Sequence, residues 1–182
     1  MSVLFTFPGQ GAQRAGMLQR LPDAAAVREA LDEATAVLGR SIDALDDETS
    51  LRSTEAVQLC LLVAGVAAAR ALVAISARPD MVCGLSVGAF PAAVVAGALD
   101  FADALRLVAL RGRLMEQAFP HGYGMTAIDG LTPAALGSLL AEVRSEGLPV
   151  YLANLNSDTQ LVIAGSDEAM ALAAERARER GA

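Results

Sequence analysis

Apolar residues recur along this chain first at strand spacing, then at helix spacing, and that order predicts most of its elements. Residues 3–7 (Val-Leu-Phe-Thr-Phe) form a β-branched and aromatic run that enters a glycine-rich loop, the pattern of a strand and a turn. Over 23–38 apolar and charged positions alternate at helical spacing, and Gly39 is placed to stop that helix. Ser53 or Thr54 opens a long apolar helix to about Ala74, with Glu55 near its positive end. Pro79 breaks the chain before a buried strand at 81–83. An apolar helix is expected over 89–98, and Asp100 is positioned to cap another over 101–118.

Beyond the loop Pro120-His121-Gly122-Tyr123-Gly124 the texture changes. A strand at 125–128 leads to Thr132, a cap for a helix to about Ser145 with Pro133 in its first turn. Strands at 149–153 and 160–164 are joined by the turn-forming Asn156-Ser157-Asp158, and Ser166 or Asp167 caps a helix to about Arg180. The succession β-α-β-β-α is a ferredoxin-like α+β unit without its last strand. Residues 1–121 are therefore expected to be one part of an α/β core and 122–182 an incomplete small subdomain. The chain stops at Gly181-Ala182, where a helix end would lead into the missing strand, so it reads as an N-terminal fragment of a longer polypeptide.

Composition narrows the function. The 182 residues are 54% hydrophobic but 4% aromatic, with no Trp, which excludes disorder and suggests a tightly packed Ala, Val and Leu core. A net charge of −7 with no basic run argues against a nucleic-acid partner. One His and no CxxC argue against a zinc site, so no metal is expected. Cys60 and Cys83 lie in apolar segments and read as small buried hydrophobes of a reducing compartment. The apolar stretch 59–75 is interrupted by Arg70, and 81–99 carries three glycines and Pro91, so neither reads as a membrane span. No signal peptide is visible, and a cytoplasmic location is expected.

The candidate chemistry centres on Cys83-Gly84-Leu85-Ser86-Val87-Gly88, which has the form G-x-S-x-G. Between a strand and a helix, that pattern lifts a serine Oγ off the sheet and aims the next backbone N–H, here that of Val87, at whatever the serine attacks. A serine buried in a tight turn is the alternative. Gly9-Gln10-Gly11 follows the first strand, where open α/β sheets bind ligands, and its N–H groups are placed to complete an oxyanion hole. Arg111 has Leu107, Val108, Leu114 and Met115 as its helical neighbours, which predicts an inward guanidinium. It then needs either a ligand carboxylate or an internal salt bridge. Arg106 and Arg113 have Asp103 and Glu116 three residues away and read as solvated. His121 is the only imidazole available as a base, in a segment that reads as a surface loop. Asn154 and Asn156 bracket a strand end and read first as turn residues.

Phe-Pro-Gly-Gln-Gly-Ala-Gln at 7–13, Gly-Leu-Ser-Val-Gly at 84–88 and Asp-Phe-Ala-Asp-Ala-Leu-Arg-Leu-Val at 100–108 resemble the malonyl-CoA:acyl carrier protein transacylase family. So do Arg-Gly-Arg-Leu-Met at 111–115 and Asn-Leu-Asn-Ser with Gln-Leu-Val-Ile-Ala-Gly over 154–165. The resemblance implies an α/β-hydrolase-like parallel-sheet core with a ferredoxin-like insert. It implies Ser86 as the acylated nucleophile, Gln10 and Val87 as backbone oxyanion donors, and Arg111, with Gln10 and Asn154, around the malonyl group. It implies malonyl-CoA as substrate, the prosthetic thiol of an acyl carrier protein as acceptor, no permanently bound cofactor, and a catalytic His and a late Gln in a segment absent here. Leu85 and Ala89 stand where the family usually has His and Glu, and this run resembles the malonate decarboxylase epsilon-subunit branch. A serine esterase or thioesterase, and a non-catalytic carrier-docking fragment, are the competing readings.

Overall fold

The computed structural model describes residues 2–119 and 121–182, which group by their contacts into two units, Met1–Ala118 and Phe119–Ala182. In the first, β1 (Leu4–Phe7) lies parallel to β2 (Met81–Gly84), pairing Leu4 with Met81 and Phe7 with Gly84. Parallel strands need a long crossover, and this one carries α1 (Ala25–Leu38) and α2 (Thr54–Ala74). Phe5, Phe7 and Val82 pack against Ala69, Ala92 and Val95 on one face of the pair. Leu4, Thr6, Met81 and Cys83 alternate onto the other face and are exposed. The expectation that 81–83 is a buried strand and Cys83 a buried thiol is therefore corrected: helices cover one face of this pair, and period-2 alternation turns Cys83 to the other.

α2 is the spine of the first unit, buried continuously from Ala56 to Val63 and packed by α1, α3 (Ala89–Val95) and α4 (Phe101–Ala118). It is long and apolar enough to cross a membrane, but 61% of its most apolar window is already buried, as in a core helix. Arg70, which interrupts its apolar run, pairs with Glu33 at 2.8 Å and lies over the Phe101 ring. Cys60 is fully buried, and its thiol is pushed up to about 12, first by burial and then by the charges of Asp46 and Asp43. Asp46 is buried and accepts from the backbone N–H of Met17 at 3.1 Å and Leu18 at 2.8 Å, which ties the segment after the Gly9–Gly11 loop to the core.

The start of α2 and the second half of α4 meet along a tight seam. A Cβ on Gly112 would lie 2.5 Å from Glu55 Cα, so only glycine allows the helices this close. Ser53 caps α2 by accepting from Ala56 N–H at 3.3 Å, and Glu116 of α4 accepts from Glu55 N–H at 3.2 Å. An acid supplied by another helix thus satisfies a first-turn N–H that the Ser53 cap leaves free. Burial pushes the Glu116 carboxyl up, but hydrogen bonds from the Ser53 hydroxyl and the N–H groups of Glu55 and Thr54 outweigh it and hold it below its ordinary value. Arg113 pairs with Glu55 at 2.9 Å, together with Arg40 at 2.7 Å; Glu116, the expected partner of Arg113, is already engaged at the end of α2.

The second unit runs β3 (Tyr123–Asp129), α5 (Pro133–Ser145), β4 (Val150–Leu155), β5 (Gln160–Ser166) and α6 (Asp167–Glu179), the succession read from the sequence. Its sheet has the order β3-β5-β4, both pairings antiparallel. Thr132 and Ser166 cap their helices as expected, accepting from Ala135 N–H and Ala169 N–H. Ile128, Val150, Leu161 and Ile163 form its core with Leu136, Leu140 and Ala173 of the helices. A bulge between Leu152 and Asn154 shifts the register, so that Tyr151 faces Ala164 and Asn154 faces Val162. Without the extra residue, period-2 alternation would turn Asn154 toward the helices; with it, Asn154 shares the uncovered face with Tyr151.

Gly112→Ala should destabilise the first unit. The clash is with backbone, which no rotamer change relieves, so overpacking of about 1–3 kcal/mol should exceed alanine's helix-propensity gain of about 1 kcal/mol. Thermal unfolding should show a lower Tm; an unchanged or raised Tm would contradict the seam. Glu116→Gln should also lower stability, but conditionally. The folded pKa lies below the ordinary glutamate value, so the glutamate's contribution is present above the unfolded pKa and lost as pH falls through the folded one. Wild type and variant should differ in Tm at pH 7 and converge in acid.

Candidate functional site

The parallel register that sets Phe7 beside Gly84 also sets the two loops leaving those strands side by side. Leu85 N–H donates to Phe7 carbonyl at 3.0 Å, extending the ladder by one step into the loop. The chain then turns through a short 3₁₀ segment, Ser86–Gly88, into α3. A Cβ at Gly84 would lie 2.0 Å from Gly88 carbonyl oxygen, and one at Gly88 would lie 2.3 Å from that of Phe7. The two glycines of G-x-S-x-G are thus required by the closeness of three backbone segments. Ser86 has φ 52°, in the left-handed region that costs a non-glycine residue about 1–2 kcal/mol. Such a conformation persists where the surroundings over-determine it. Here Val87 is fully buried on one side of the serine, while Ser86 itself stays exposed. α3 ends at Val95, short of the expected 98, because Gly97 takes φ 72° and Ala98 N–H returns to Ala93 carbonyl, a Schellman stop.

Arg111 reaches this serine from α4. Its Nη2 donates to Ser86 Oγ at 3.1 Å, and its Nη1 donates to Gln58 Oε1 at 2.5 Å. In the first unit, ion pairs among the described residues hold Arg28, Arg40, Arg70, Arg106 and Arg113, whereas Arg111 meets two neutral side chains. The route to this position differs from the expected one. Of the four apolar neighbours only Val108 is buried; Leu107, Leu114 and Met115 are 46%, 55% and 44% exposed. They border an open apolar groove of ≈ 540 Å³ that also includes Phe90 and Leu110. Helical spacing marks an apolar face but not whether that face is covered. The guanidinium is half-buried because it lies across the seam toward α2.

Gln10 sits exposed in the turn after β1, where Gly9 packs against Leu85: a Cβ on Gly9 would be 3.0 Å from Leu85 carbonyl oxygen. Gln10, Ser86, Val87 and Arg111 thus all belong to the first unit, with Ser86 and Arg111 in direct contact. His121 is exposed ahead of β3, and Asn154 lies on β4; both belong to the second unit. Sequence reasoning missed Gln58. Its signal was an uncharged polar residue inside the apolar run Ala-Val-Gln-Leu-Cys-Leu-Leu-Val at 56–63.

The acyl transferase domain family matches residues 4–182. The chain belongs to that family. Among its relatives, the malonyl CoA-acyl carrier protein transacylase of Escherichia coli strain K12 is 42% identical over 98% of this chain. The chain spans 59% of that relative's length. The solved structure of the malonyl CoA-acyl carrier protein transacylase from Coxiella burnetii superposes with a TM-score of 0.91 at 38% identity, covering 100% of this chain and 59% of that one. A malonyl-transacylase solved in complex with a type II polyketide synthase acyl-carrier protein is 37% identical with a TM-score of 0.89, covering 100% of this chain and 60% of that one. The mixed α/β architecture described above is that of these structures.

The G-x-S-x-G turn at 84–88 yields a direct test. Gly88→Ala should destabilise the protein by about 1–3 kcal/mol and lower its Tm, since the turn must open to admit the methyl. Gly137→Ala, inside α5 with no atom within 4 Å of the added Cβ, should be neutral or stabilising. Equal effects of the two would argue against the elbow geometry.

Proposed function

We propose that Ser86 is the nucleophile of a ping-pong malonyl transfer from malonyl-CoA to the thiol of an acyl carrier protein. The single observation that carries this reading is the contact of Arg111 with Ser86, a guanidinium without an ion-pair partner among the described residues and held 3.1 Å from the candidate nucleophile. Ser86 Oγ attacks the thioester carbonyl, its proton passes to a base, and the C–S bond breaks to release coenzyme A carrying that proton. The carrier thiol then attacks the seryl ester and regenerates the serine. Backbone N–H groups of Gln10 and Val87 receive the oxyanion, and Arg111 grips the free carboxylate. Asn154 we keep as a substrate-binding residue on the strength of the family resemblance alone. No resident cofactor or metal is needed for these steps. The parallel β1–β2 pair with its elbow supports an α/β-hydrolase-like core, and the free cysteines suit a cytoplasmic setting. The run Leu85-Ser86-Val87-Gly88-Ala89 favours the carrier subunit of a malonate decarboxylase as acceptor, testable by competition between carrier proteins.

The protein expressed from its complete gene should gain a malonyl adduct on the peptide containing Ser86 when treated with malonyl-CoA. Ser86→Ala should abolish it, and an equal yield in that variant would sink the assignment. An adduct that water removes as fast as a carrier thiol would make the protein an esterase; carrier binding with no adduct would make it a docking module. His121→Ala should leave acylation intact if another residue is the base. Arg111→Ala should lower malonyl transfer about a hundredfold, a loss on the order of 3 kcal/mol for a charge-assisted bidentate contact, while keeping or raising acetyl transfer. Arg113→Ala leaves Glu55 paired with Arg40 and should change neither. Equal losses of malonyl and acetyl transfer in Arg111→Ala would make Arg111 structural.

A further inference from the structure

We propose that Gln58 is the positioning residue for Arg111 and, through it, a determinant of selectivity for acyl groups that end in a carboxylate. The proposal rests on the reading of Arg111 as the carboxylate clamp. Gln58 is 1% exposed within α2, where a polar side chain is kept only with partners. It has two, and they fix its orientation. Oε1 accepts from Arg111 Nη1 at 2.5 Å, and Nε2 donates to Met115 Sδ at 3.3 Å. Arg111 and Met115 are one turn apart on α4, so the amide bridges them. Reversing it would set an NH₂ group against guanidinium donors.

With Nη1 held by Gln58 and Nη2 against Ser86 Oγ, the guanidinium plane is pinned at two points. The neighbouring turn of α2 shows what the alternative would do. Glu55, three residues before Gln58 on the same face, receives Arg113 and Arg40 and neutralises them in ion pairs. The same seam thus offers a carboxylate to two arginines and a neutral amide to the third. A neutral acceptor orients Arg111 without cancelling its charge, and that charge is what a carboxylate substrate needs.

The test uses the protein expressed from its complete gene, with malonyl-CoA and acetyl-CoA as donors and kcat and KM measured for each. Gln58→Glu keeps size and reach but would pair with Arg111. It should raise the malonyl KM ten- to a hundredfold and leave the acetyl KM unchanged or lower. Gln58→Leu frees the guanidinium and should lower the malonyl-to-acetyl ratio of kcat/KM at least tenfold. Added to Arg111→Ala, it should lower that ratio no further. If Gln58→Leu does not fold, Gln58→Glu decides. Malonyl and acetyl constants that fall by one common factor, or a ratio that stays at the wild-type value, overturn the role of Gln58. A wild-type protein that loads acetyl as readily as malonyl overturns the clamp itself, and the role of Gln58 with it.

Discussion

Gly112 has no side chain, and a Cβ there would sit 2.5 Å from Glu55 Cα; the close approach of α4 to α2 that this permits brings the rest of the site into range. Along that seam Ser53 and Glu116 satisfy the first N–H groups of α2, Glu55 collects Arg113 and Arg40, and Gln58 holds Arg111. These contacts share one geometry. A shift of α4 by the width of a methyl group would move the guanidinium relative to the serine as well as strain the packing, because close-packed interiors transmit such displacements.

The serine is fixed by an independent framework. Its φ of 52° is held by the strand ladder running into the loop, by Gly84 and Gly88 at van der Waals contact with backbone, and by the burial of Val87. Serine hydroxyl and guanidinium therefore arrive from two rigid sources, a sheet edge and a helix seam, and meet at one hydrogen bond. Placing two side chains on separately braced elements keeps their spacing stable without either being fully buried.

Much of this was legible in the sequence because it is local. Caps at Ser53, Thr132 and Ser166, the stop at Gly39 and the β-α-β-β-α succession follow from a few adjacent residues each. The elbow was legible for the same reason: its glycines and serine lie within five positions. Long-range facts were not. Nothing near Cys83 tells which face of its strand is covered, and nothing near Arg113 says that Glu55 outcompetes Glu116 for it. The bulge at Asn154 leaves no signature in an apolar strand with no glycine or proline. Gln58 was visible as an anomaly, a polar residue in a core run, but its meaning required the partner on α4.

The charge of Arg111 stands in contrast to that of the whole chain. The chain carries a net charge of −7, which by itself repels a carboxylate. At physiological ionic strength, however, exposed charges more than about 8 Å apart are largely screened. What an anionic group meets at the serine is decided by charges within that distance. A guanidinium whose two side-chain partners, Gln58 and Ser86, are both neutral keeps its full charge there. Had Arg111 entered an ion pair, as Arg113 does two residues later, the same fold would present a neutralised pair beside the serine inside an acidic protein.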